Sequence, residues 1–155
     1  MKVWEIMTTD PYCCTSSDTV ESAAWIMREK DVGSLPIVRD QHSRRLQGIV
    51  TDRDLCCAML VDGKHPKTTL VGEVMTPHPV TCEPGDDLEI CVRIMQEHQV
   101  RRVPVVDHEG CCIGVVAQAD LALRAKPQHV YETVAEISKR WDAKRPVSMH
   151  LLCDE

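Results

Sequence analysis

The first half of this chain returns as its second half. Residues 3–41 align without a gap on residues 71–109 at a constant offset of 68, which lays Met7-Thr8 on Met75-Thr76 and Pro36 on Pro104. After a two-residue slip in the next loop, GIVTDRDL (residues 48–55) matches GVVAQADL (residues 114–121) at an offset of 66. Two copies of one supersecondary unit in 155 residues are expected to pack on each other, because neither copy buries its apolar face alone. The expected arrangement is face to face about a pseudo-twofold axis, and the seam is the first place to seek a ligand.

Each copy opens with a short extended piece, residues 11–14 or 79–82. Asp18-x-x-Glu21 and Asp86-x-x-Glu89 then have the form of a capping box. Behind them Val20, Ala23, Ala24 and Met27, and likewise Leu88, Cys91, Val92 and Met95, recur at the i, i+3, i+4, i+7 spacing of an amphipathic helix. The β-rich stretches 35–38 and 103–106 carry Pro36 and Pro104 at their second position, which suits a strand start or an edge. Second strands follow at 46–50 and 112–116, then short helices from about Asp52 to Val61 and from about Gln118 to Lys126.

The reading is an α/β fold, β-α-β-β-α twice: repeat 1 over residues 1–62, a linker at 63–69, repeat 2 over 70–126, and a C-terminal helix and tail over 127–155. In that tail Val130, Val134, Ile137 and Trp141 form an apolar stripe, which either folds back on its own domain or makes a dimer contact. Residues 142–155 show no pattern and read as a loose end.

Composition narrows the function. Apolar residues make up 43% of the chain but aromatics only 3%, with no Phe, so the core is built from aliphatic side chains and Cys. The net charge of −6 argues against nonspecific nucleic-acid binding, which needs a broad basic surface. No apolar run approaches the ~18 residues of a membrane span, and the start has no apolar signal region, so a cytoplasmic location with reduced thiols is expected. Of nine cysteines, six form adjacent pairs at 13–14, 56–57 and 111–112. Neighbours on a strand face opposite ways, so such pairs make poor chelates and strained disulfides. No Cys/His set has zinc spacing, and no metal site is expected. The cysteines read as small buried hydrophobes with a few surface thiols; a redox- or metal-responsive thiol protein is the alternative. Seven scattered histidines make no nucleophile–base grouping, so the chain does not read as an enzyme.

The duplicated Met-Thr opening, the h-x-P-V/I-V strand and the G-h-h-T/x-x-x-D-L segment together resemble a pair of cystathionine-β-synthase (CBS) domains, the tandem known as a Bateman module. The resemblance runs from Val3 to about Arg124 and is closest to small stand-alone bacterial CBS-pair proteins. It implies two repeats packed through their sheets with two clefts between them. It also implies an adenine nucleotide (AMP, ADP or ATP) or less often S-adenosylmethionine or a dinucleotide as regulatory ligand, and assembly as a homodimer.

Carried onto this sequence, the resemblance implicates Thr51 and Asp54 in the first copy and Asp120 in the second. A helix N-terminus offers free N–H groups to phosphate, and a carboxylate can accept both hydrogens of a ribose diol. Thr51-x-x-Asp54 serves equally well as a plain helix cap. Ala117 stands where Thr51 has its hydroxyl, so the two clefts should be unequal. Arg101 and Arg102 replace Gly33 and Ser34 of the first copy and suit bidentate phosphate binding, or form a solvated pair. One anion site containing Arg101 or Arg102 is expected, completed by either Asp. Val32, Pro36, Val100 and Pro104 are the expected base contacts. The leading reading is a non-enzymatic sensor of adenine nucleotides. Its competitor is a ligand-free dimeric module with vestigial clefts, whose dimer surface or tail helix binds another protein.

Overall fold

Alternation of β-branched residues with two helical stripes per copy produces two sheet-and-helix layers, one per repeat. The computed structural model describes residues 1–124 and 127–139. Repeat 1 contains β1 (Thr8–Thr9), β2 (Cys14–Thr15), α1 (Val20–Lys30), β3 (Ser34–Val38), β4 (Leu46–Thr51) and α2 (Asp52–Leu60). Repeat 2 contains β5 (Thr76–Pro77), α3 (Leu88–His98), β6 (Arg102–Val106), β7 (Cys112–Ala117) and α4 (Gln118–Arg124), followed by α5 (Pro127–Ser138). In each repeat the central hairpin is antiparallel, β3 on β4 and β6 on β7, with matching bulges at Ile37/Val38 and Val105/Val106.

The opening segments are exchanged. β1 pairs antiparallel with β7 of repeat 2, and β5 pairs antiparallel with β4 of repeat 1, giving sheet orders β1-β7-β6 and β2-β3-β4-β5. The 3-10 turns just before them follow suit. Val3 N–H donates to the Asp86 carbonyl at 3.0 Å, while Val71 N–H donates to the Asp18 carbonyl at 2.8 Å. Fully buried Val3 and Ile6 sit in a core with Leu88, Cys91, Met95, Val103 and Leu121, and Val71 sits in the other with Val20, Ala23, Leu35, Ile37 and Val50. Burying each such side chain contributes about 1.5–3 kcal/mol. Each repeat's core is therefore closed by the other repeat's opening segment.

Two glycines make the exchange possible. A Cβ on Gly48 would lie 2.6 Å from the Met75 sulfur and 3.0 Å from the Thr76 carbonyl oxygen; one on Gly114 would lie 2.6 Å from the Met7 sulfur and 3.2 Å from the Thr8 carbonyl. The Gly of the G-h-h segment and the Met of the Met-Thr opening are thus one contact, made across the repeats.

The helices keep their expected stripes, except that Ala24 is exposed. Their caps differ from expectation. Thr19, not Asp18, caps α1, accepting from Ser22 N–H, and Asp87 stands at the N-cap of α3 without a side-chain cap bond. Asp18 and Asp86 instead close turns by accepting from the Thr15 and Glu83 N–H groups at 2.7 and 2.8 Å. The helix donors they would have capped are met elsewhere: Val20 and Glu21 N–H donate to the Thr69 and Pro66 carbonyls of the linker, and Leu88 N–H to the Met1 carbonyl.

The tail helix α5 folds back on α3 and α4. Ile137 enters the repeat 2 core, and Gln96 Nε2 donates to the buried Thr133 hydroxyl at 3.3 Å. Trp141, the last residue of the stripe, and residues 142–155 lie outside the described residues, as do the last two residues expected in α4. No helix among the described residues is long and apolar enough to cross a membrane.

Gly48→Ala is expected to destabilise the chain by about 1–3 kcal/mol, the usual cost of overpacking, because the backbone carbonyl of Thr76 cannot swing aside as a side chain would. Gly85, whose Cβ would meet nothing within 4 Å, supplies the control: Gly85→Ala should stay within about 0.5 kcal/mol of the parent in a urea titration.

A candidate ligand cleft between the repeats

One cleft of about 760 Å³ opens on the seam, with walls from both repeats. Residues 8–13, 30–34, Pro36, Gln41 and Arg44 form one side; Arg102, Val115, Ala117 and Asp120 form the other. The first wall is shaped by how α1 ends. Asp31 takes the left-handed conformation (φ 52°) and Val32 N–H donates back to the Met27 carbonyl at 3.0 Å, so the chain reverses and leads Val32–Ser34 into β3. The second wall is the turn from β7 into α4.

Four of the nine residues singled out from sequence line this cleft: Val32, Pro36, Arg102 and Asp120. Asp120 Oδ2 accepts from the Ala117 N–H at 2.7 Å, closing the start of α4. Its other oxygen accepts no hydrogen bond from the described residues. Arg102 crosses the seam: a Cβ on Gly33 would lie 2.5 Å from its Nη2 and 3.1 Å from Asp52 Oδ2. The difference between the copies at this point is thus a fit, with the guanidinium of one repeat resting where the other has no side chain.

Thr51, Asp54, Val100, Arg101 and Pro104 are not among the residues lining this cleft. Through the repeat offsets, Thr51 and Asp54 correspond to Ala117 and Asp120, and Val100 and Pro104 to Val32 and Pro36. Thr51 and Asp54 form a complete capping box for α2: the Thr51 N–H and hydroxyl both donate to Asp54 Oδ2, at 2.8 and 2.7 Å, and Asp54 N–H donates to Thr51 Oγ1. At Asp120 the missing hydroxyl leaves the carboxylate with one internal donor fewer. Arg101 is exposed, and its carbonyl accepts from Gln118 N–H at 2.9 Å.

The structure adds residues that sequence reasoning passed over. Lys30 Nζ stands 5.0 Å from the centroid of the Tyr12 ring, both on the cleft wall. Arg44 is held in the left-handed conformation (φ 54°), half-buried, and donates to Asp10 Oδ1, the Pro11 carbonyl and the Cys112 carbonyl. Tyr12 had a weak signal, as the departure from Val80 in the other copy. Arg44 had none, since it sits in the loop where the repeats fall out of register.

Of the adjacent cysteine pairs, Cys13 and Cys14 face different surroundings and Cys112 is buried beside a half-buried Cys111, whereas Cys56 and Cys57 are both exposed on the helix α2. Cys14 points into the repeat 1 core, where burial, with the nearby charges of Asp18 and Cys13, pushes its thiol up to about 12. Cys13 and Cys112 instead meet at the seam beside Val38 and Leu46. Cys82 and Cys91 are buried in repeat 2. Among the described residues no three His, Cys, Asp or Glu side chains come close enough to hold a metal ion.

Comparison with known proteins agrees with this architecture. The family model described as the CBS domain matches twice, over residues 3–61 and 71–126. Hypoxic response protein 1 of Mycobacterium tuberculosis is 38% identical over 125 residues, covering 81% of this chain and 85% of that protein. A crystal structure of Hypoxic Response Protein I, with two coordinated zinc ions, aligns with a TM-score of 0.71 over 80% of this chain and 98% of that one. CBSX2, a CBS-pair protein of Arabidopsis thaliana, was solved in complex with AMP; it is 30% identical, with a TM-score of 0.69 over 80% of this chain and 95% of that one. The CBS domain pair of protein MJ0100, in complex with 5′-methylthioadenosine and S-adenosyl-L-methionine, is 27% identical, with a TM-score of 0.71 over 79% and 94%. Two family matches in tandem, on two repeats that complete each other's sheets, make this chain a member of the CBS-domain family, with its two CBS domains in tandem.

Proposed function

We propose that the chain is a non-enzymatic regulatory module that takes an adenine nucleotide or related adenosyl ligand in the seam cleft. The observation that carries this reading is the meeting of a half-free carboxylate, Asp120, and a guanidinium, Arg102, with the apolar stretch Val32–Pro36 of the other repeat. A ribose diol donates two hydrogen bonds, which the open oxygen of Asp120 is suited to accept. A phosphate takes a paired donor, which Arg102 offers. Val32 and Pro36 give the base an apolar bed. The relatives solved with AMP or with S-adenosyl-L-methionine support an adenosyl ligand. Thr51, Asp54, Arg101, Val100 and Pro104 would serve the counterpart face, where the capping box already occupies the Thr51 hydroxyl.

Regulation follows from where the ligand contacts fall. A ligand held by both repeats binds best at one angle between them, and that differential affinity is what biases the chain between arrangements a partner could read. The proposed working unit is a homodimer. Trp25 on α1, with Leu60 and Val61 at the end of α2, is a large exposed apolar side chain whose cover a second copy would supply. In sedimentation velocity the dimer is expected for the parent and a monomer for Trp25→Glu; a parent chain that sediments as a monomer would reject the dimer.

Asp120→Ala and Arg102→Ala separate the two polar contacts. Saturation at 100 times Kd stabilises a fold by about 2.7 kcal/mol, a rise of several degrees in Tm. Asp120→Ala should abolish the rise with both AMP and 5′-methylthioadenosine. Arg102→Ala should weaken AMP roughly 10- to 100-fold, as for loss of a charged hydrogen bond, and leave methylthioadenosine, which has no phosphate, nearly unchanged. Equal loss for both ligands on Arg102→Ala would remove Arg102 from the phosphate site. No Tm rise with any adenosyl ligand at millimolar concentration, for nucleotide-free protein, would overturn the reading in favour of a ligand-free interaction module.

A further inference from the structure

Cys13 and Cys112 come from different repeats and lie far apart in the chain, yet they share one small apolar cluster with Val38 at the seam. Both are free thiols, Cys13 Sγ donating to the Pro11 carbonyl at 3.3 Å and Cys112 Sγ to the Gly114 carbonyl at 3.6 Å. A single guanidinium touches both residues: Arg44 Nη2 is 3.3 Å from Cys13 Sγ, and Arg44 Nε donates to the Cys112 carbonyl at 3.1 Å. Arg44 is fixed there by its remaining contacts and by its own carbonyl, which accepts from Cys112 N–H at 2.8 Å. Access is unequal. Cys13 is on the cleft wall, whereas Cys112 is fully buried.

We propose that Cys13 and Cys112 are a redox-active pair that closes into a disulfide across the repeat seam, with a hydroperoxide entering by the cleft as oxidant. Cys13 is the attacking sulfur, because only it faces the cleft and because the Arg44 cation stands against it. Its thiolate attacks one peroxide oxygen, the O–O bond breaks, and the departing hydroxide takes a proton to leave as water, which gives a sulfenic acid on Cys13. Cys112 then attacks the Cys13 sulfur. The S–O bond breaks, and the hydroxide leaves with the Cys112 proton as a second water. Two thiols and one peroxide become one disulfide and two waters, and a dithiol reductant reverses the change.

The electrostatics favour this order. The neighbouring Cys112 thiol, together with the charge and hydrogen bond of Arg44, holds the Cys13 thiol below the ordinary cysteine range, against burial and the Asp10 charge. Cys112 is pushed well up, first by the neighbouring Cys13 thiol and then by burial. The disulfide would fasten the segment leading into β2 to β7, fixing the angle between the repeats at the floor of the cleft. The pair is independent of any ligand reading of that cleft.

The test is to treat the reduced full-length chain with about one equivalent of hydrogen peroxide, block residual thiols with N-ethylmaleimide, and map the peptides. A Cys13–Cys112 crosslink is expected as the main product, reversed by dithiothreitol. Cys112→Ser should stop at a Cys13 sulfenic acid that dimedone traps, and Cys112→Ala is the second variant should the first fail to fold. Alkylation of Cys13 in the untreated chain should persist to lower pH than that of a cysteine in an unstructured peptide, falling only as pH drops through the lowered value. A main product that joins other cysteines, such as Cys13 to Cys14 or Cys56 to Cys57, would overturn the proposal. So would Cys13 oxidising no faster than the exposed Cys56.

Discussion

The contact on which this structure depends is a methionine of one repeat laid across a glycine of the other, made twice. Met75 over Gly48 and Met7 over Gly114 let β5 and β1 approach the far repeat's sheet closely enough to pair with it. The turns that carry those methionines then plug both cores, Val71 in one and Val3 with Ile6 in the other. A CBS repeat in this chain is therefore not a self-contained layer. Each one reaches its full apolar burial only with its neighbour in place, so the angle between the repeats is a property of packing, not of a flexible linker.

That constraint also builds the cleft. Because the segment after β1 runs along the seam, residues 8–13 of the first repeat face Ala117 and Asp120 of the second. The two polar groups proposed to hold a ligand lie on repeat 2, and the apolar bed lies on repeat 1. A bound molecule would thus report on, and be able to bias, the relation between the halves. The asymmetry is equally local. Arg102 lies against Gly33, and Asp120 Oδ2 accepts from the Ala117 N–H alone where Asp54 Oδ2 accepts from both the N–H and the hydroxyl of Thr51.

Much of this was legible in the sequence, and the limits have physical causes. The repeat offsets and the helical and strand periods were enough for an α/β pair of CBS repeats, and the opposite facing of Cys13 and Cys14 follows from strand geometry. The exchange of β1 and β5 was not legible, because the two copies carry the same pattern: a Met-Thr segment suited to its own repeat's sheet suits the other's as well. The caps at Asp18 and Asp86 were misplaced by one residue because the linker and the chain start supply carbonyls to the helix donors, a long-range contact no local motif encodes. Grouping Asp120 and Arg102 with Val32 and Pro36, and setting Thr51, Asp54 and Arg101 apart from them, likewise needed the fold, since the motifs in the two copies are locally equivalent. Cys112 as the neighbour of Cys13 depends on the loop holding Arg44, which belongs to neither repeat pattern.

The measurement that bears most directly on this account is a crystal structure of the chain grown with AMP. One nucleotide is expected in the seam cleft, its ribose on Asp120, its phosphate on Arg102 and its adenine against Val32 and Pro36. A nucleotide lodged instead at the Thr51–Asp54 face, or a seam cleft left empty at saturating AMP, would contradict it.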